Sequence, residues 1–342
     1  MKIVVASDSY KGCLSSKEVA VAVQSALQKV NPSFETVPLC VADGGEGTVE
    51  AMVDALGGEL VYDSVSDPLG RPIQAGYGIA GELAVIESAA ACGLTLLSPK
   101  ERNPLLTTTR GLGELILAAI GKGCKRFIIG LGGSATNDGG MGMISVPGLL
   151  DSAAGKEFTV ACDVDTPFIG PVGASRTFAP QKGASPADVE ILEVRMKSYS
   201  EKILKETGVD VSDMPGAGAA GGLGGAFRAY LGATLKPGVD MVLDAIGFDS
   251  LIRGADLVIT GEGCSDFQTV KGKTAFGILQ RAKKKGIPVI LLSGALKDEA
   301  ILIGAGFSRL ERVSPEGLPP EVAMRPEVTK ENIEKAIIRL FR

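Results

Sequence analysis

The sequence predicts an α/β protein with two domains, and three observations indicate this class. The N-terminal part has the pattern of strand, loop and amphipathic helix twice over, with strands at 2–7 and 34–40. A hairpin pattern then interrupts it, because strand-length runs within 59–90 are broken by DPLG and AG. Strand–helix alternation returns late, with apolar or β-rich runs at 255–261, 287–294 and 308–314.

Two early strands and three late strands, joined by crossover helices, predict a small doubly wound parallel sheet of flavodoxin-like or Rossmann-like type. We therefore expect a discontinuous first domain formed by residues 1–66 plus 241–342. Residues 67–240 form the expected insertion, a second α/β domain. In the first helix, Ser15 or Ser16 is the expected N-cap, and Glu18 closes a capping box if Ser15 is the cap.

Composition narrows the class of protein. The chain has 342 residues and a formal net charge of −5, which disfavours nucleic acid or an anionic membrane as the main partner. Its six cysteines are widely scattered and form no CxxC pair, so neither a metal cluster nor a disulfide framework is expected. The N-terminus resembles neither a signal peptide nor a membrane anchor. We expect a reduced, cytoplasmic protein.

The sequence contains no histidine. This excludes Ser-His-Asp and Cys-His nucleophile systems, HExxH zinc sites and imidazole proton shuttles. If the protein is an enzyme, Asp, Glu, Lys, Tyr or Cys must transfer the protons. Reactions that depend mainly on positioning and charge neutralisation are therefore favoured.

One glycine-rich stretch, GLGGSATNDGG at 130–140, follows a predicted strand. Its GLGGSA formally matches a dinucleotide-binding fingerprint, but no strand ending in Asp or Glu follows about twenty residues later. A second stretch, KGKT at 271–274, imitates the end of a Walker A loop, but Phe267 stands where that motif requires glycine. The alternative for 130–140 is a structural turn, with glycines for close packing and Asn137 and Asp138 as turn or cap residues.

Three loops combine paired glycines with carboxylates: ADGGEGT at 42–48, GGSATNDGG at 132–140 and TGEGCSDFQT at 260–269. Glycine lets backbone N–H groups approach an anion closely, whereas the carboxylates would repel that anion unless a divalent cation bridges them. With Lys11, Lys182 and Lys273, this set favours an Mg-nucleotide phosphotransfer site. Another nucleotide-using enzyme and a non-catalytic binding protein stay open.

Several longer motifs together resemble the bacterial type I glycerate kinase family. They are DSYKGCLSS (8–16), ADGGEGT (42–48), DPLGRP (67–72), TTTRGLGEL (107–115), GLGGSATNDGG (130–140), ACDV (161–164), GASRTFAPQKGAS (173–185), PGAGAAGGLGGA (215–226) and TGEG with SD and QT (260–269). The resemblance implies ATP-dependent phosphorylation of D-glycerate, usually to 2-phosphoglycerate, by a two-domain protein with its site in the cleft. It implies ATP and Mg²⁺ as cofactors, and it leaves a homo-oligomer open.

Site roles follow from these blocks. With no histidine, a carboxylate is the candidate for accepting the hydroxyl proton, and we favour Asp8 or Asp266. Lys11 is a further catalytic candidate, which would bind phosphate or the substrate carboxylate. The candidates for Mg²⁺ are Asp43, Glu46, Asp138 and Glu262. The candidates for binding phosphate or substrate are Ser9, Gly44, Gly45, Gly132, Gly133, Ser134, Asn137, Arg176, Lys182, Thr260, Gly261 and Lys273. Arg176 could grip the substrate carboxylate with two hydrogen bonds.

The chain departs from the family pattern at three places. After MGMI at 141–144 a few dozen residues are missing, position 264 is Cys where Arg is common, and position 271 is Lys where His is common. Two rival functions therefore stay open. A dinucleotide-dependent oxidoreductase would use GLGGSA for the pyrophosphate, and a catalytically silent regulator would bind glycerate without phosphoryl transfer.

Overall fold

The computed structural model describes residues 1–45 and 47–341. Within them the strands are β1 (Lys2–Ser7), β2 (Glu35–Cys40), β3 (Glu59–Ser66), β4 (Pro72–Ala80), β5 (Leu83–Glu87), β6 (Arg126–Gly130), β7 (Glu157–Ala161), β8 (Thr234–Lys236), β9 (Leu257–Thr260), β10 (Cys264–Ser265), β11 (Val289–Ser293), β12 (Ala295–Leu296) and β13 (Arg309–Arg312). The helices are α1 (Ser16–Val30), α2 (Thr48–Leu56), α3 (Ala89–Cys92), α4 (Arg110–Gly121), α5 (Met141–Ile144), α6 (Leu149–Ala153), α7 (Ala174–Phe178), α8 (Pro186–Thr207), α9 (Ala219–Leu231), α10 (Gly238–Ala245), α11 (Phe248–Leu251), α12 (Thr274–Lys283), α13 (Glu299–Ala305), α14 (Pro320–Ala323) and α15 (Pro326–Phe341).

The chain divides into two compact units. Unit 1 comprises Met1–Asp43, Asp54–Leu56 and Val242–Arg342, and unit 2 comprises Gly44–Val53 and Gly57–Met241. The first joint therefore lies near residue 43, whereas the sequence suggested residue 66. The reason is the DPLG turn, which pairs β3 antiparallel with β4 and so places β3 in the second sheet.

Unit 1 contains a five-stranded parallel sheet in the order β2-β1-β9-β11-β13. In the order of their appearance along the chain, its strands are arranged 2-1-3-4-5, which is the flavodoxin-like doubly wound order. The predicted fold class is confirmed, and each of the five predicted strands is present. Parallel strands of this kind are apolar on both faces because helices cover both, and β1, β9 and β11 are buried almost throughout.

Helices α1 and α15 pack together on one face of this sheet. Val19, Val23 and Leu27 of α1 join Ile333 and Ile337 of α15 in one buried cluster with β1 and β9. The helix α1 begins with the capping box: Ser15 N donates to the Glu18 carboxylate at 3.0 Å, and Glu18 N donates to Ser15 Oγ at 3.2 Å. Ser15 is therefore the N-cap, and it determines where α1 begins after the loop that follows β1.

Unit 2 contains a six-stranded mixed sheet in the order β3-β4-β5-β6-β7-β8. Its hairpin pairs are antiparallel and the pairs from β5 to β8 are parallel. The helices α4 and α9 contribute to the core over this sheet, where Phe127, Phe158 and Phe227 pack together. Within residues 1–45 and 47–341, no helix is long and apolar enough to cross a membrane.

Candidate active site

The carboxyl ends of β1 and β9 mark the point where the strand order of unit 1 reverses. Ligands of open α/β sheets bind in the crevice outside such a point. A cavity of about 620 Å³ opens here, lined entirely by residues of unit 1. Its polar lining includes Asp8, Ser9, Lys11, Asp43, Glu262, Cys264, Lys273 and Arg312. The structure thus brings two separate sequence motifs, 8–16 and 260–269, to one place.

Asp8 follows β1 directly and lines the cavity. Its Oδ1 accepts a hydrogen bond from Ser9 N at 2.7 Å, and its Oδ2 accepts one from Thr274 Oγ1 at 2.5 Å. Burial, together with the neighbouring Asp43 charge, raises the pKa of Asp8 from 3.8 to about 6. A carboxyl group with that pKa is ionised near neutral pH and is basic enough to take a proton from a reacting hydroxyl.

The loops after β1 and β9 are tied to each other. The carbonyl oxygen of Gly261 accepts hydrogen bonds from Asp8 N at 2.9 Å and from Ser7 Oγ at 2.9 Å. A Cβ at Gly261 would collide with the carbonyl oxygen of Leu292 on β11, so glycine is required by packing at this position. Thr260 beside it is fully buried. Neither Thr260 nor Gly261 lines the cavity; Gly261 supports the site through its backbone, by holding the loop that carries Asp8.

Glu262 and Lys273 form an ion pair on the wall of the cavity. Lys273 Nζ lies 3.1 Å from Glu262 Oε2, and Glu262 Oε1 also accepts from Thr269 Oγ1 at 2.6 Å and Ser265 Oγ at 3.1 Å. Burial alone would lower the pKa of Lys273, but the Glu262 charge prevails and raises it. The pair thus presents a fixed ammonium group and an anchored carboxylate side by side.

Asp266, the other predicted proton acceptor, is not among the residues that line the cavity. Its Oδ1 accepts from Gln268 N at 2.8 Å, and its backbone N–H donates to Thr269 Oγ1 at 3.1 Å. This is the geometry of an Asx turn that starts the 3₁₀ turn Thr269–Lys271. Of the two candidates, Asp8 is the one placed at the cavity. Lys271 next to this turn lies over the ring of Phe267, 5.0 Å from its centroid.

In unit 2, Asp138 is surrounded by protein donors. Its Oδ2 accepts from Thr109 N at 2.8 Å, Thr109 Oγ1 at 2.9 Å and Gly142 N at 3.1 Å, and its Oδ1 accepts from Gly140 N at 3.1 Å. Burial raises the pKa of Asp138, and these hydrogen bonds oppose that rise. Because the carboxylate already holds the starts of α4 and α5, this geometry favours a positioning role over the predicted metal role.

Lys182 is buried in the same loop region. Its ammonium group donates to Ser134 Oγ at 2.8 Å and to the carbonyl oxygen of Thr136 at 2.7 Å. Burial lowers the pKa of Lys182 to about 7. Both partners are atoms of the 130–140 loop, so Lys182 and Ser134, which were predicted to bind phosphate, hold each other and the loop in place.

Asn137 lies beside a smaller cavity of about 290 Å³ in unit 2, together with Asp138, Arg195 and Tyr199. Its Nδ2 donates to Ser175 Oγ at 3.0 Å, while its buried Oδ1 has no partner within the described residues. Arg176 lines neither cavity; its guanidinium grips the Glu190 carboxylate with bonds of 2.6 and 2.9 Å. The two-bond grip predicted for Arg176 is thus made, but to a residue of α8.

The glycines that were predicted to bind phosphate differ in their surroundings. Gly44 is required by packing, since a Cβ there would lie 2.7 Å from Ala161 Cβ and 2.9 Å from Gly238 Cα. Gly132 and Gly133 are exposed, and Gly133 O accepts from Leu94 N at 2.9 Å. Gly45 O accepts from Thr48 N at 3.3 Å at the start of α2. Glu46, predicted as a metal ligand, lies outside the described residues.

The next feature is the arrangement of carboxylates that were predicted to bind Mg²⁺. Within residues 1–45 and 47–341, no group of three or more Asp, Glu or Cys side chains is arranged to hold a metal ion. Mg²⁺ in phosphotransfer sites is usually bound by one or two carboxylates plus the phosphates of the substrate. Asp43 and Glu262 line the same cavity as the lysines, so the residues fit a metal ion that arrives with a nucleotide.

Comparison with known proteins identifies the family of this chain. The model of the glycerate kinase family matches residues 3–151 and 144–342, which together span nearly the whole chain. The chain belongs to the glycerate kinase family. A protein named glycerate kinase from Bacillus subtilis (strain 168) is 44% identical, with 94% of this chain and 93% of its own covered. One named glycerate 2-kinase from Escherichia coli (strain K12) is 46% identical, with 87% and 86% covered.

A crystal structure from Salmonella typhimurium LT2, described as a candidate glycerate kinase 2, has the same fold. It matches with a TM-score of 0.91 and 39% identity, over 100% of this chain and 97% of its own. The two family matches meet at 144–151, where the sequence appeared shortened. The Bacillus alignment spans 354 positions but covers 94% of 342 residues, which leaves about thirty positions without a counterpart here. In this glycerate kinase family member, α5 and α6 bridge that place directly before β7.

Two parts of the unit 1 site were not predicted from the sequence. Thr274, which donates to Asp8, belongs to the KGKT stretch that was set aside because it lacks the Walker A spacing. The other part is the chain between β13 and α15, where Ser314, Pro315, Leu318, Pro320, Ala323 and Met324 line the cavity. Those residues carry no charged or glycine-rich motif. Their segment, SPEGLPPEVAM, mixes leucine, valine and methionine with prolines, Glu316, Gly317 and Glu321, and this pattern predicts no particular site.

Proposed function

We propose that this protein transfers the γ-phosphoryl group of Mg-ATP to a hydroxyl group of D-glycerate, giving 2-phosphoglycerate. Membership of the glycerate kinase family and the names of its relatives support the activity. The observation that carries the proposal within the structure is the cavity at the carboxyl ends of β1 and β9. It combines a basic carboxylate, Asp8, with the ammonium groups of Lys11 and Lys273.

In the proposed reaction, Asp8 acts on the substrate hydroxyl. The hydroxyl oxygen forms a bond to the γ-phosphorus while the bond from that phosphorus to the ADP oxygen breaks, and the hydroxyl proton passes to Asp8. Thr274 Oγ1 and Ser9 N hold the carboxylate in one orientation, which leaves its proton-accepting capacity directed at the cavity. Phosphoryl transfer needs mainly positioning and charge stabilisation, so one well-placed carboxylate is sufficient acid–base machinery.

The cationic groups and the remaining carboxylates have complementary roles. We propose that Lys11 and Lys273 neutralise phosphate oxygens, and that Asp43 and Glu262 hold Mg²⁺ directly or through water. When bound, the metal ion would stabilise the charge that develops on the phosphate oxygens. Glu262 suits this role because its Oε1 is already oriented by two hydroxyl groups. We place the reaction in the cytoplasm, where the free thiols of this chain persist.

The test is a coupled assay for ADP with purified protein, D-glycerate and Mg-ATP, followed by phosphorus NMR of the product. We expect ADP release that requires D-glycerate and stops in excess EDTA. A product in which the phosphate is not on the 2-oxygen would overturn the assignment of 2-phosphoglycerate. Unchanged turnover in EDTA would overturn the metal requirement.

The same preparation distinguishes the two rivals. Glycerate binding without any ADP release would support a catalytically silent regulator. Thermal protection by NAD(P) and none by ATP would support a dinucleotide-dependent oxidoreductase. We expect protection by Mg-ATP or Mg-ADP, because a ligand that binds only the folded state raises its melting temperature.

A further inference from the structure

The unit 1 cavity has a second, apolar half that the chemistry described above does not use. Its apolar residues are Pro315, Leu318, Pro320, Ala323 and Met324, together called here the 315–324 wall, and Glu316 and Gly317 of the same segment also line the cavity. Met324 is 48% exposed, so its side chain is not part of the hydrophobic core. An exposed methionine beside leucine and prolines in a cavity of about 620 Å³ is typical of a small-molecule pocket.

The 315–324 wall is held in place by the surrounding elements. After β13, Val313 N donates to Ser293 O at 2.8 Å and Ser314 N donates to Gly294 O at 3.0 Å. On the other side, Thr329 Oγ1 of α15 donates to Ala323 O at 2.7 Å. The backbone of the wall is thus tied to β11 at one end and to α15 at the other, so the cavity is preorganised on this side.

The wall adjoins the loop that carries the predicted phosphate-binding lysine. Gly12 has φ +73°, and a Cβ built there would lie 3.2 Å from Met324 Cε. Met324 therefore packs over the 8–16 loop immediately after Lys11. Cys13 of the same loop has its Sγ 3.0 Å from Thr329 Oγ1, which joins this loop to α15. An apolar surface and a cationic group thus lie next to each other along one wall of the cavity.

The chemistry of the two substrates decides what fits this arrangement. Glycerate is polar throughout, with a carboxylate and two hydroxyl groups, and it gains nothing from an aliphatic wall. A nucleotide carries a flat base with apolar faces at one end and anionic phosphates at the other. We propose, resting on the kinase function above, that the 315–324 wall is the subsite for the base of the nucleotide, with its phosphates directed towards Lys11 and Lys273.

The test compares a nucleotide with an inorganic polyphosphate that has neither a base nor a ribose. We would measure the dissociation constants of ADP and of inorganic tripolyphosphate by calorimetry, for the wild type and for the double variant Leu318→Ser, Met324→Ser. The double variant removes apolar contact with the base, so we expect ADP binding to weaken by about tenfold. Tripolyphosphate binding should stay within about twofold, because the lysines are unchanged.

A matched control is Ile301→Ser on α13, since Ile301 is also 48% exposed but does not line the cavity. We expect it to bind both probes like the wild type. Unchanged ADP binding in the double variant, an equal loss for both probes, or no ADP binding by the wild type would overturn the subsite. If the selective loss for ADP is seen while glycerate is not phosphorylated, the subsite stands and the kinase function fails.

Discussion

The loop at 8–12 in unit 1 and the loop at 130–140 in unit 2 share one sequence pattern. Each follows a buried strand, and each combines glycine with a carboxylate. Their carboxylates nevertheless differ in their surroundings. Asp8 lines the cavity of about 620 Å³, whereas the Asp138 carboxylate, beside the smaller cavity, accepts hydrogen bonds from Thr109, Gly140 and Gly142 at the starts of α4 and α5. This sequence pattern therefore specifies a tight turn with an anchored carboxylate, and the neighbouring elements decide whether the carboxylate takes part in chemistry or supports the fold.

The largest effect that sharpens this comparison is expected for Asp8→Asn. Loss of the proton acceptor should lower kcat about 100-fold, which is the scale of general base catalysis. Folding raises the pKa of Asp8 from 3.8 to about 6. Ionisation of Asp8 therefore lowers the stability of the folded protein as pH rises through about 6. The variant should therefore keep or raise the melting temperature at pH 8. The measurement is kcat together with thermal unfolding, with Asp54→Asn, an exposed partner of Lys17, as the control. Near-normal kcat would remove Asp8 from the chemistry.

For Asp138→Asn we expect a lower melting temperature with nearly unchanged kcat, the reverse of the result for Asp8→Asn. The amide would present an NH₂ group to backbone donors that now meet carboxylate oxygens, which costs about 2 kcal/mol. For a protein of this size the melting temperature should fall by about 3 °C. Measured at a temperature where the variant is folded, kcat should stay within about threefold of wild type. A large loss of kcat with an unchanged melting temperature would instead place Asp138 in the active site.

A smaller effect, on the KM for ATP, is expected for Lys273, the lysine paired with Glu262. Lys273→Gln removes an ammonium group from the cavity, so we expect the KM for ATP to rise about tenfold, the scale of one charge-assisted contact. The control is Lys271→Gln, only two residues away, whose ammonium lies over the Phe267 ring. It should change the KM by less than about twofold. Equal effects of the two substitutions would mean that only the general charge of this segment matters.

The smallest effect is a pH dependence in unit 2. Folding lowers the pKa of Lys182 from 10.5 to about 7, so between these values the unfolded state binds more protons than the folded state. Stability contributed by this residue must therefore rise with pH above 7. From pH 7 to pH 8 the unfolding free energy of wild type should rise by about 1 kcal/mol more than that of Lys182→Met. Urea titrations at both pH values measure this. Parallel changes in the two proteins would mean that Lys182 is protonated in the folded state at both.

Much of unit 1 could be predicted from the sequence. The apolar runs of β1, β9 and β11 and the capping box at Ser15 and Glu18 are local signals, and each corresponds to an observed element. Local patterns also placed Asp8 and Glu262 at strand ends. The order of parallel strands then brings them together, because their carboxyl ends meet at one edge of the sheet.

Contacts distant in sequence could not be predicted in this way. Whether Arg176 binds a substrate or a protein carboxylate depends on Glu190, which α8 brings opposite it. Likewise, Asp266 looks like Asp8 in sequence, but the turn it caps satisfies it locally. The 315–324 wall shows no distinctive pattern in the sequence, because its apolar residues are interspersed with prolines, Glu316, Gly317 and Glu321. It becomes part of the cavity only because β13 and α15 position it there.

The pH dependence of kcat/KM for D-glycerate tests the central claim most directly. If Asp8 accepts the proton, kcat/KM in wild type should rise through pH about 6 and then level off, since only the ionised carboxylate is active. We expect this acidic limb, the fall in kcat/KM below pH about 6, to be kept in Asp138→Asn and to be absent from the residual activity of Asp8→Asn. An acidic limb that persists unchanged in Asp8→Asn, or that disappears in Asp138→Asn, would contradict the division of roles between the two loops.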